Sequence, residues 1–206
     1  MLKDLRGLSE FCAELSSEEP APGGGTASAA AGAMAASLLA MVCRITHKSK
    51  KHEEHWQELE MMTDSLLTLR DALVQLAMED ARAYDALAEA MRRRKVEDSA
   101  DADDAVRAAL GGAIEVPQKT ARACARILEI SSRVAEIGVR SAHSDVAVAI
   151  HLAEAGVKGA LENVTINLEG SDDLEYVEET RNDVKDQSSR ASRAAKEGLD
   201  RLSVSS

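Results

Sequence analysis

The stretch Pro20–Cys43 reads PAPGGGTASAAAGAMAASLLAMVC and carries no charged side chain. Alanine, leucine and methionine favour helix, and the opening rich in proline and glycine marks the place where such a helix starts. The uncharged stretch approaches the length of a membrane span, but it is dominated by alanine, glycine and serine, which transfer weakly into lipid. We therefore predict a helix buried on all sides in a protein core, with Thr26 as its N-cap.

The composition extends this prediction to the whole chain. Hydrophobic residues make up 45% of the 206 residues and aromatic residues only 2%, so the core must be filled by small and aliphatic side chains, which favours closely packed helices. Runs of alternating β-branched residues, which are typical of strands, are essentially missing. The sequence therefore predicts an all-α protein, with one domain over residues 1–206 that folds as an antiparallel bundle of about six helices.

Hydrophobic periodicity and turn residues indicate where these helices lie. We expect them over about 4–16, 26–49, 52–93, 95–137, 141–168 and 172–202. Gly111-Gly112 and Pro117 predict a kink or an interruption in the fourth helix, because proline removes one backbone donor and clashes with the preceding turn. Asp172 with Glu175 resembles a capping box at the start of the last helix.

Charge and cysteine usage exclude several classes of protein. The formal net charge of −11 argues against non-specific binding to nucleic acid, whose phosphates require a basic surface. Cys12, Cys43 and Cys124 are far apart and form no CxxC pair, which predicts neither a disulfide framework nor a zinc site. The first ten residues are charged where a secretory signal needs an apolar run. We expect a cytoplasmic protein that binds neither nucleic acid nor membrane.

One acid lies where an apolar residue is expected. On a helical wheel, Asp80 sits in the middle of a stripe formed by Met62, Leu66, Leu69, Leu73, Leu76, Tyr84, Leu87 and Met91. A carboxylate in a core position is costly unless it is paired or used in chemistry. Asp80 is therefore a candidate catalytic residue, and a buried salt bridge is the alternative.

The helix after Gly138 repeats this pattern with smaller residues. Asp145, Asn163 and Asn167 share one face with several alanines and Gly156. From a rise of roughly 1.5 Å per residue, Asp145 and Asn163 are about 27 Å apart along the axis, so they cannot both touch one small group within a single subunit. These polar residues are candidates for a functional site. The structural alternatives are charge complementation at the helix N-terminus for Asp145 and hydrogen bonding to the helix end for the asparagines.

The loop before Thr26 suits an anion. Gly23, Gly24 and Gly25 allow positive φ and the close approach of a ligand, and the following helix offers unpaired N–H groups at its positive end. The spacing and the lysine of a P-loop are absent, and no strand precedes the loop as in a dinucleotide-binding fold. The alternative interpretation of these residues is a flexible turn that packs tightly against a neighbouring helix.

Other polar clusters indicate no metal and no cofactor. His52 and His55 are three residues apart, not four as in the zinc-protease helix, and no glutamate stands three residues before a histidine as in di-iron bundles. The basic cluster Arg92–Lys95 fits a helix C-terminus or a contact with an anionic substrate tail.

Together these features resemble one family, the formiminotetrahydrofolate cyclodeaminase and methenyltetrahydrofolate cyclohydrolase group. The residues that carry the resemblance span most of the chain: Pro20-Ala21-Pro22-Gly23-Gly24-Gly25-Thr26-Ala27, Asp80-x2-Ala83-Tyr84, Pro117, Gly138 with Ser144-Asp145, and Gly159-Ala160-x2-Asn163-Val164-x-Ile166-Asn167. The family often has a Leu-Pro-Lys-like end after the Asp80 motif, where this chain has Met91 and a basic run. The resemblance implies a multihelical bundle that forms a homodimer and binds reduced folate in a groove.

The resemblance also implies the chemistry. Cyclohydrolysis, in which water attacks the one-carbon bridge of methenyltetrahydrofolate, is favoured because no formiminotransferase domain accompanies the chain. Cyclodeamination with release of ammonia, or a non-catalytic ligand-binding dimer, are the alternatives. Both reactions need a proton acceptor and a proton donor, and tetrahydrofolate is the substrate rather than a cofactor. We expect Asp80 and Asp145 to be catalytic, and the substrate to be bound by Pro22, Gly23, Gly24, Gly25, Thr26, Tyr84 and Asn163.

Overall fold

The computed structural model describes residues 6–97 and 99–204, which form six α-helices and no strand. The helices are α1 (Arg6–Leu15), α2 (Gly24–His47), α3 (Trp56–Arg94), α4 (Ala100–Ile137), α5 (His143–Leu168) and α6 (Leu174–Val204). Short 3₁₀ turns at Lys50–His55 and Arg140–Ala142 lead into α3 and α5. The all-α prediction is confirmed, while the expected start of the first helix at residue 4 lies outside the described residues.

The alanine-rich helix α2 lies at the centre of the bundle. It packs against α3, α4 and α5, and α6 packs on α4 and α5. By length and composition α2 could cross a membrane, but 61% of its apolar window is buried inside the bundle, as in the core helix of a soluble protein. Along one edge, however, Met34, Met41 and Ile45 are exposed, so the prediction that α2 is buried on all sides is wrong there.

Two helix starts differ from the prediction. Helix α2 begins at Gly24 with Gly23 as its N-cap, so Thr26 lies inside the first turn and is not the N-cap. The Thr26 hydroxyl instead donates a hydrogen bond to Asp80 of α3. At α6, the N–H of Tyr176 donates to a carboxylate oxygen of Asp173 at 3.0 Å, so Asp173 takes the capping role expected for Asp172.

Of the kink or interruption predicted for the fourth helix, the interruption is wrong, because α4 continues for 38 residues through Gly111, Gly112 and Pro117. Pro117 has no N–H, so the carbonyl group of Ala113 loses its helical donor. The side-chain amide of Asn167 on α5 donates to this carbonyl at 2.7 Å and replaces the missing bond. A partner from another helix therefore satisfies the backbone group that the proline leaves unpaired.

Small residues bring α2 and α5 into backbone contact. A Cβ atom added to Gly156 of α5 would lie 3.0 Å from the carbonyl oxygen of Ser28 and 3.4 Å from the backbone nitrogen of Gly32, both on α2. The sulfur atom of Cys124 on α4 occupies the space that side chains at Gly32 and Gly156 would need. The contact between these three helices therefore depends on both glycines.

We expect Gly32→Ala to lower the free energy of unfolding by about 1–3 kcal/mol, because the added methyl group overlaps Cys124 and lies 3.0 Å from a methyl group of Leu73. Adding Cys124→Ala removes the sulfur atom and should recover part of the loss. The same addition should not rescue Gly156→Ala, whose methyl group also meets the α2 backbone.

Urea unfolding measures these variants, and Gly111→Ala is the matched control because nothing lies within 4 Å of its Cβ position. This control should be neutral or slightly stabilising, since alanine is the better helix former. Equal stability of Gly32→Ala and Gly111→Ala would contradict the proposed contact.

Candidate active site

A cavity opens where the loop before α2 meets α3, α4 and α5. Its enclosed space is about 80 Å³, and it widens to about 460 Å³ when the space that continues into solvent is included. Its wall is formed by Pro20, Ala21, Gly23, Gly24, Gly25, Asp80, Ala83, Tyr84, Leu87, Ala113, Asn163 and Asn167. The fold therefore brings six residues of the predicted site to one place: Gly23, Gly24, Gly25, Asp80, Tyr84 and Asn163.

Asp80 of α3 reaches across to the first turn of α2. The hydroxyl of Thr26 donates to Oδ2 of Asp80 at 2.9 Å, and the backbone N–H of Thr26 donates to the same carboxylate. Burial raises the pKa of Asp80, and the two hydrogen bonds from Thr26 only partly offset this effect. Within the described part of the chain, no basic side chain lies at ion-pair distance from Asp80. The alternative interpretation, a buried salt bridge, is therefore wrong.

The glycines allow this close approach. A Cβ atom at Gly25 would lie 2.6 Å from the carboxylate carbon of Asp80, and one at Gly24 would lie 3.5 Å from Nδ2 of Asn163. Gly23 is extended, and no glycine among the described residues has positive φ. The expectation that these glycines adopt positive φ is therefore wrong, and what they provide is space for Asp80 and Asn163.

The N-terminus of α2 is already occupied by a carboxylate of the chain itself. Asp80 uses the N–H of Thr26, and the N–H of Ala27 donates to the carbonyl of Gly23 at 3.0 Å. The N–H groups of Gly24 and Gly25 are the first of the helix and have no intrahelical acceptor. Since both glycines line the cavity, these two donors remain for a ligand.

Two amides of α5 also line the cavity. Nδ2 of Asn163 donates to the carbonyl of Gly159 at 2.8 Å, and Nδ2 of Asn167 donates to the carbonyl of Ala113 at 2.7 Å. Asn167 was not among the predicted binding residues, although it lies one turn after Asn163 on the same face. The signal that points to it is Pro117, which leaves the Ala113 carbonyl without its helical donor.

Tyr84 lies at the edge of the cavity, and the remaining predicted residues line another groove or lie away from it. Tyr84 follows Asp80 by one turn and is 43% exposed. Pro22 and Thr26 line a separate groove between α1, α2 and α3, so Thr26 contributes to the cavity only through its bonds to Asp80. Asp145 is half-buried in the first turn of α5 and does not line the cavity, because it lies about 27 Å along the helix from Asn163.

No metal-binding cluster of three or more His, Cys, Asp or Glu side chains occurs among residues 6–97 and 99–204. His52 and His55 lie in the 3₁₀ turn before α3 and do not line the cavity. Burial raises the pKa of the Cys43 and Cys124 thiols to about 12, so both remain protonated at neutral pH. Among the titratable groups that line the cavity, Asp80 is the one whose pKa is raised by burial.

A desolvated carboxylate without a basic partner, beside the first N–H groups of a helix and two side-chain amides, can perform acid–base chemistry. Here that arrangement is carried by an all-helical bundle. Residues 7–186 match the family model described as formiminotransferase-cyclodeaminase. The chain belongs to this family of folate enzymes, as the sequence motifs predict.

Individual relatives agree with this assignment. Methenyltetrahydrofolate cyclohydrolase of Methylorubrum extorquens is 36% identical over 84% of both chains. Formimidoyltransferase-cyclodeaminase of Rattus norvegicus is 31% identical over 84% of this chain, which corresponds to 32% of the rat protein. The crystal structure of formiminotetrahydrofolate cyclodeaminase from Thermotoga maritima matches with a TM-score of 0.86 at 26% identity, over 95% of both chains.

We expect Asp80→Asn to change how stability depends on pH. Because the pKa of Asp80 is raised in the folded state, the folded protein binds this proton more tightly than the unfolded chain does. The resulting stabilisation is present below the ordinary pKa of aspartate and is lost as pH rises through the raised pKa. The variant has no such proton, so its free energy of unfolding relative to wild type should increase from acidic to neutral pH.

Urea unfolding at a series of pH values checks this expectation. Asp85→Asn, which removes an exposed acid of the same helix, is the matched control. A difference between Asp80→Asn and wild type that is constant or falls with rising pH would show that the carboxylate is stabilised, not desolvated, in the fold.

Proposed function

We propose that this chain is a methenyltetrahydrofolate cyclohydrolase, which adds water to the bridge between N5 and N10 of the reduced folate and produces 10-formyltetrahydrofolate. The observation that carries the proposal is Asp80, a carboxylate whose pKa burial raises and which Thr26 holds in the cavity wall. The choice of reaction is supported by the relative named as a cyclohydrolase, which matches at 36% identity over 84% of both chains.

Asp80 supplies the proton transfers of this reaction. In its ionised form it takes a proton from the water that attacks the bridging carbon, and a tetrahedral intermediate forms. As the C–N5 bond breaks, Asp80 returns the proton to N5, the new hydroxyl group loses its own proton to solvent, and the formyl group stays on N10. A raised pKa suits both roles, because the desolvated carboxylate is a stronger base than an exposed one and its protonated form can still donate to N5.

The rest of the cavity wall binds the substrate in this proposal. Gly23, Gly24 and Gly25 keep the backbone bare, so that the first N–H groups of α2 reach the ligand. Asn163 offers its amide, and Tyr84 stacks on the pterin or orients Asp80. Pro22 holds the loop from the side of the neighbouring groove.

Asp145 keeps its proposed supporting role only in an assembly. Within one subunit it lies about 27 Å along α5 from Asn163, which excludes a shared proton transfer with Asp80 at the same substrate. An Asp145 that takes part in catalysis must therefore come from a second copy of the chain.

Cyclodeamination is the second candidate, and the match with the Thermotoga maritima cyclodeaminase favours it. In that reaction N10 attacks the formimino carbon and ammonia leaves, so the same carboxylate serves as proton acceptor and donor. A non-catalytic dimer that binds folate without turnover is the remaining alternative. In each case the tetrahydrofolate derivative is the ligand, and the proposed chemistry uses side chains of the protein without a cofactor.

We propose that the chain forms a homodimer through the outer surface of α2 and α3. This α2–α3 face exposes the apolar residues Met34, Met41, Ile45, Val74 and Met78. On α2 they are spaced by seven and four residues and form one stripe, and an apolar groove between α1, α2 and α3 continues it. A second copy packed by two-fold symmetry covers this face.

The cytoplasm is the compartment that we propose for this dimer. Cys12 is exposed and unpaired, while Cys43 and Cys124 are buried as free thiols. Free thiols of this kind fit a reducing compartment.

The loss of methenyl absorbance on incubation with 5,10-methenyltetrahydrofolate tests the activity. We expect turnover above the rate without enzyme, and we expect Asp80→Asn to lower kcat/KM by about 10²–10⁴-fold because the proton acceptor is lost. The rate should also fall at low pH, with a midpoint above the ordinary pKa of aspartate, because protonation removes the base. Incubation with formiminotetrahydrofolate, which gains methenyl absorbance when it reacts, tests the cyclodeaminase.

Gly25→Ala should reproduce the loss of activity, because its methyl group displaces the Asp80 carboxylate, whereas Gly111→Ala should keep full activity. No turnover with either substrate would exclude both enzymes. Binding without turnover would leave the non-catalytic dimer.

The dimer proposal predicts that Met41→Glu produces a monomer, because a charge in the middle of the α2–α3 face prevents apolar packing. Val148→Glu is the matched control, since Val148 is also apolar and exposed but lies on α5. Light scattering after gel filtration measures the molar mass. A monomeric wild type, or a Met41→Glu variant that remains dimeric, would contradict this interface.

A further inference from the structure

Pro117 creates an unpaired backbone carbonyl in the wall of the cavity. It is buried in the middle of α4 and has no N–H, so the carbonyl of Ala113 four residues earlier has no helical donor. Ala113 lines the cavity, and Nδ2 of Asn167 donates to its carbonyl oxygen at 2.7 Å. The side chain that completes α4 is therefore also part of the cavity wall.

This hydrogen bond determines which atom of Asn167 faces the cavity. A carbonyl oxygen only accepts hydrogen bonds, so the group of Asn167 that contacts Ala113 must be the NH2 group and Oδ1 must point elsewhere. No described residue donates to Oδ1, and this oxygen is not among the buried atoms without a partner. Since Asn167 lines the cavity, Oδ1 is an acceptor that is open to a ligand.

Asn163 is oriented in the same way. Its NH2 group donates to the carbonyl of Gly159 at 2.8 Å, which leaves its Oδ1 as the open atom. Asn163 and Asn167 are four residues apart, so their Cβ atoms are about 5–6 Å from each other on one face of α5. The cavity therefore has two neighbouring acceptors whose direction is set by the backbone.

We propose that Asn167 is a specificity-determining residue: its Oδ1, locked by the carbonyl that Pro117 leaves unpaired, acts with Oδ1 of Asn163 to accept hydrogen bonds from the pyrimidine edge of the reduced pterin. That edge presents an amino group and a ring N–H side by side, which are two donors for two acceptors. An amide that cannot flip favours donors over acceptors at this position. This inference rests on the proposed function.

A second substitution separates the substrate contact from the structural one. Pro117→Ala returns an N–H to position 117 and with it a helical donor for the Ala113 carbonyl. In this background, Asn167→Ala removes the amide without leaving the carbonyl unpaired. A change in substrate binding then reports on Oδ1 of Asn167 and not on the integrity of α4.

The experiment compares wild type, Pro117→Ala, Asn167→Ala, the double variant and Asn182→Ala, which removes an exposed amide of α6. Calorimetry measures the binding of tetrahydrofolate. The loss of methenyl absorbance gives KM and kcat with methenyltetrahydrofolate. Relative to Pro117→Ala, we expect the double variant to bind about 3- to 10-fold more weakly, mainly as a higher KM. It should also discriminate less against a 2-desamino-2-methyl analogue of tetrahydrofolate.

The thermal midpoint supplies the structural half of the test. Asn167→Ala should lower it, and adding Pro117→Ala should restore it to the wild-type value or above, while Asn182→Ala should change neither the midpoint nor the affinity. Equal affinity and discrimination in Pro117→Ala and the double variant would overturn the inference and leave the cyclohydrolase intact. A wild type that neither binds nor converts a folate would overturn the proposed function, and the pterin contact with it.

Discussion

The bundle depends on the backbone contact between α2 and α5. Gly32 and Gly156 let the two helices approach until the carbonyl of Ser28 lies against the bare Cα of Gly156. In a core almost without aromatic rings, close approach of helices replaces the large side chains that fill most protein interiors. The same register extends to the N-terminus of α2, where Asn163 lies beside Gly24. The packing that holds the core together therefore also sets the width of the cavity.

Hydrogen bonds between helices provide the polar groups of this cavity. The N-terminus of α2 is completed by Asp80 of α3, and the carbonyl of Ala113 in α4 is completed by Asn167 of α5. In both cases an unpaired backbone group is satisfied by a side chain that also faces the cavity. The few polar side chains of the proposed site are therefore held by the same bonds that stabilise the helices, which keeps them oriented before a substrate arrives.

Residue spacing was sufficient to find Asp80, because a carboxylate in an apolar stripe is visible on a helical wheel. The same reasoning selected Asp145, and only the packing shows that Asp80 lines the cavity whereas Asp145 does not. The predictions of Thr26 as an N-cap and of an interruption near Pro117 were wrong for a common reason. Thr26 bonds to Asp80, and the Ala113 carbonyl that Pro117 leaves unpaired bonds to Asn167. Both partners are 54 positions away in the chain, whereas local rules consider only neighbouring residues.

The position of Asp80 links its protonation to the contact between two helices. The carboxylate ties α3 to the first turn of α2, and its negative charge is what the positive end of that helix attracts. When Asp80 takes up a proton, one oxygen changes from acceptor to donor and the attraction weakens. Protonation also removes the cost of burying the charge, so each catalytic cycle that uses this acid would exchange an electrostatic attraction for a smaller desolvation cost at the contact between α2 and α3. Because the α2–α3 face belongs to the same two helices, the second subunit of the proposed dimer would lie next to the contact that this protonation changes.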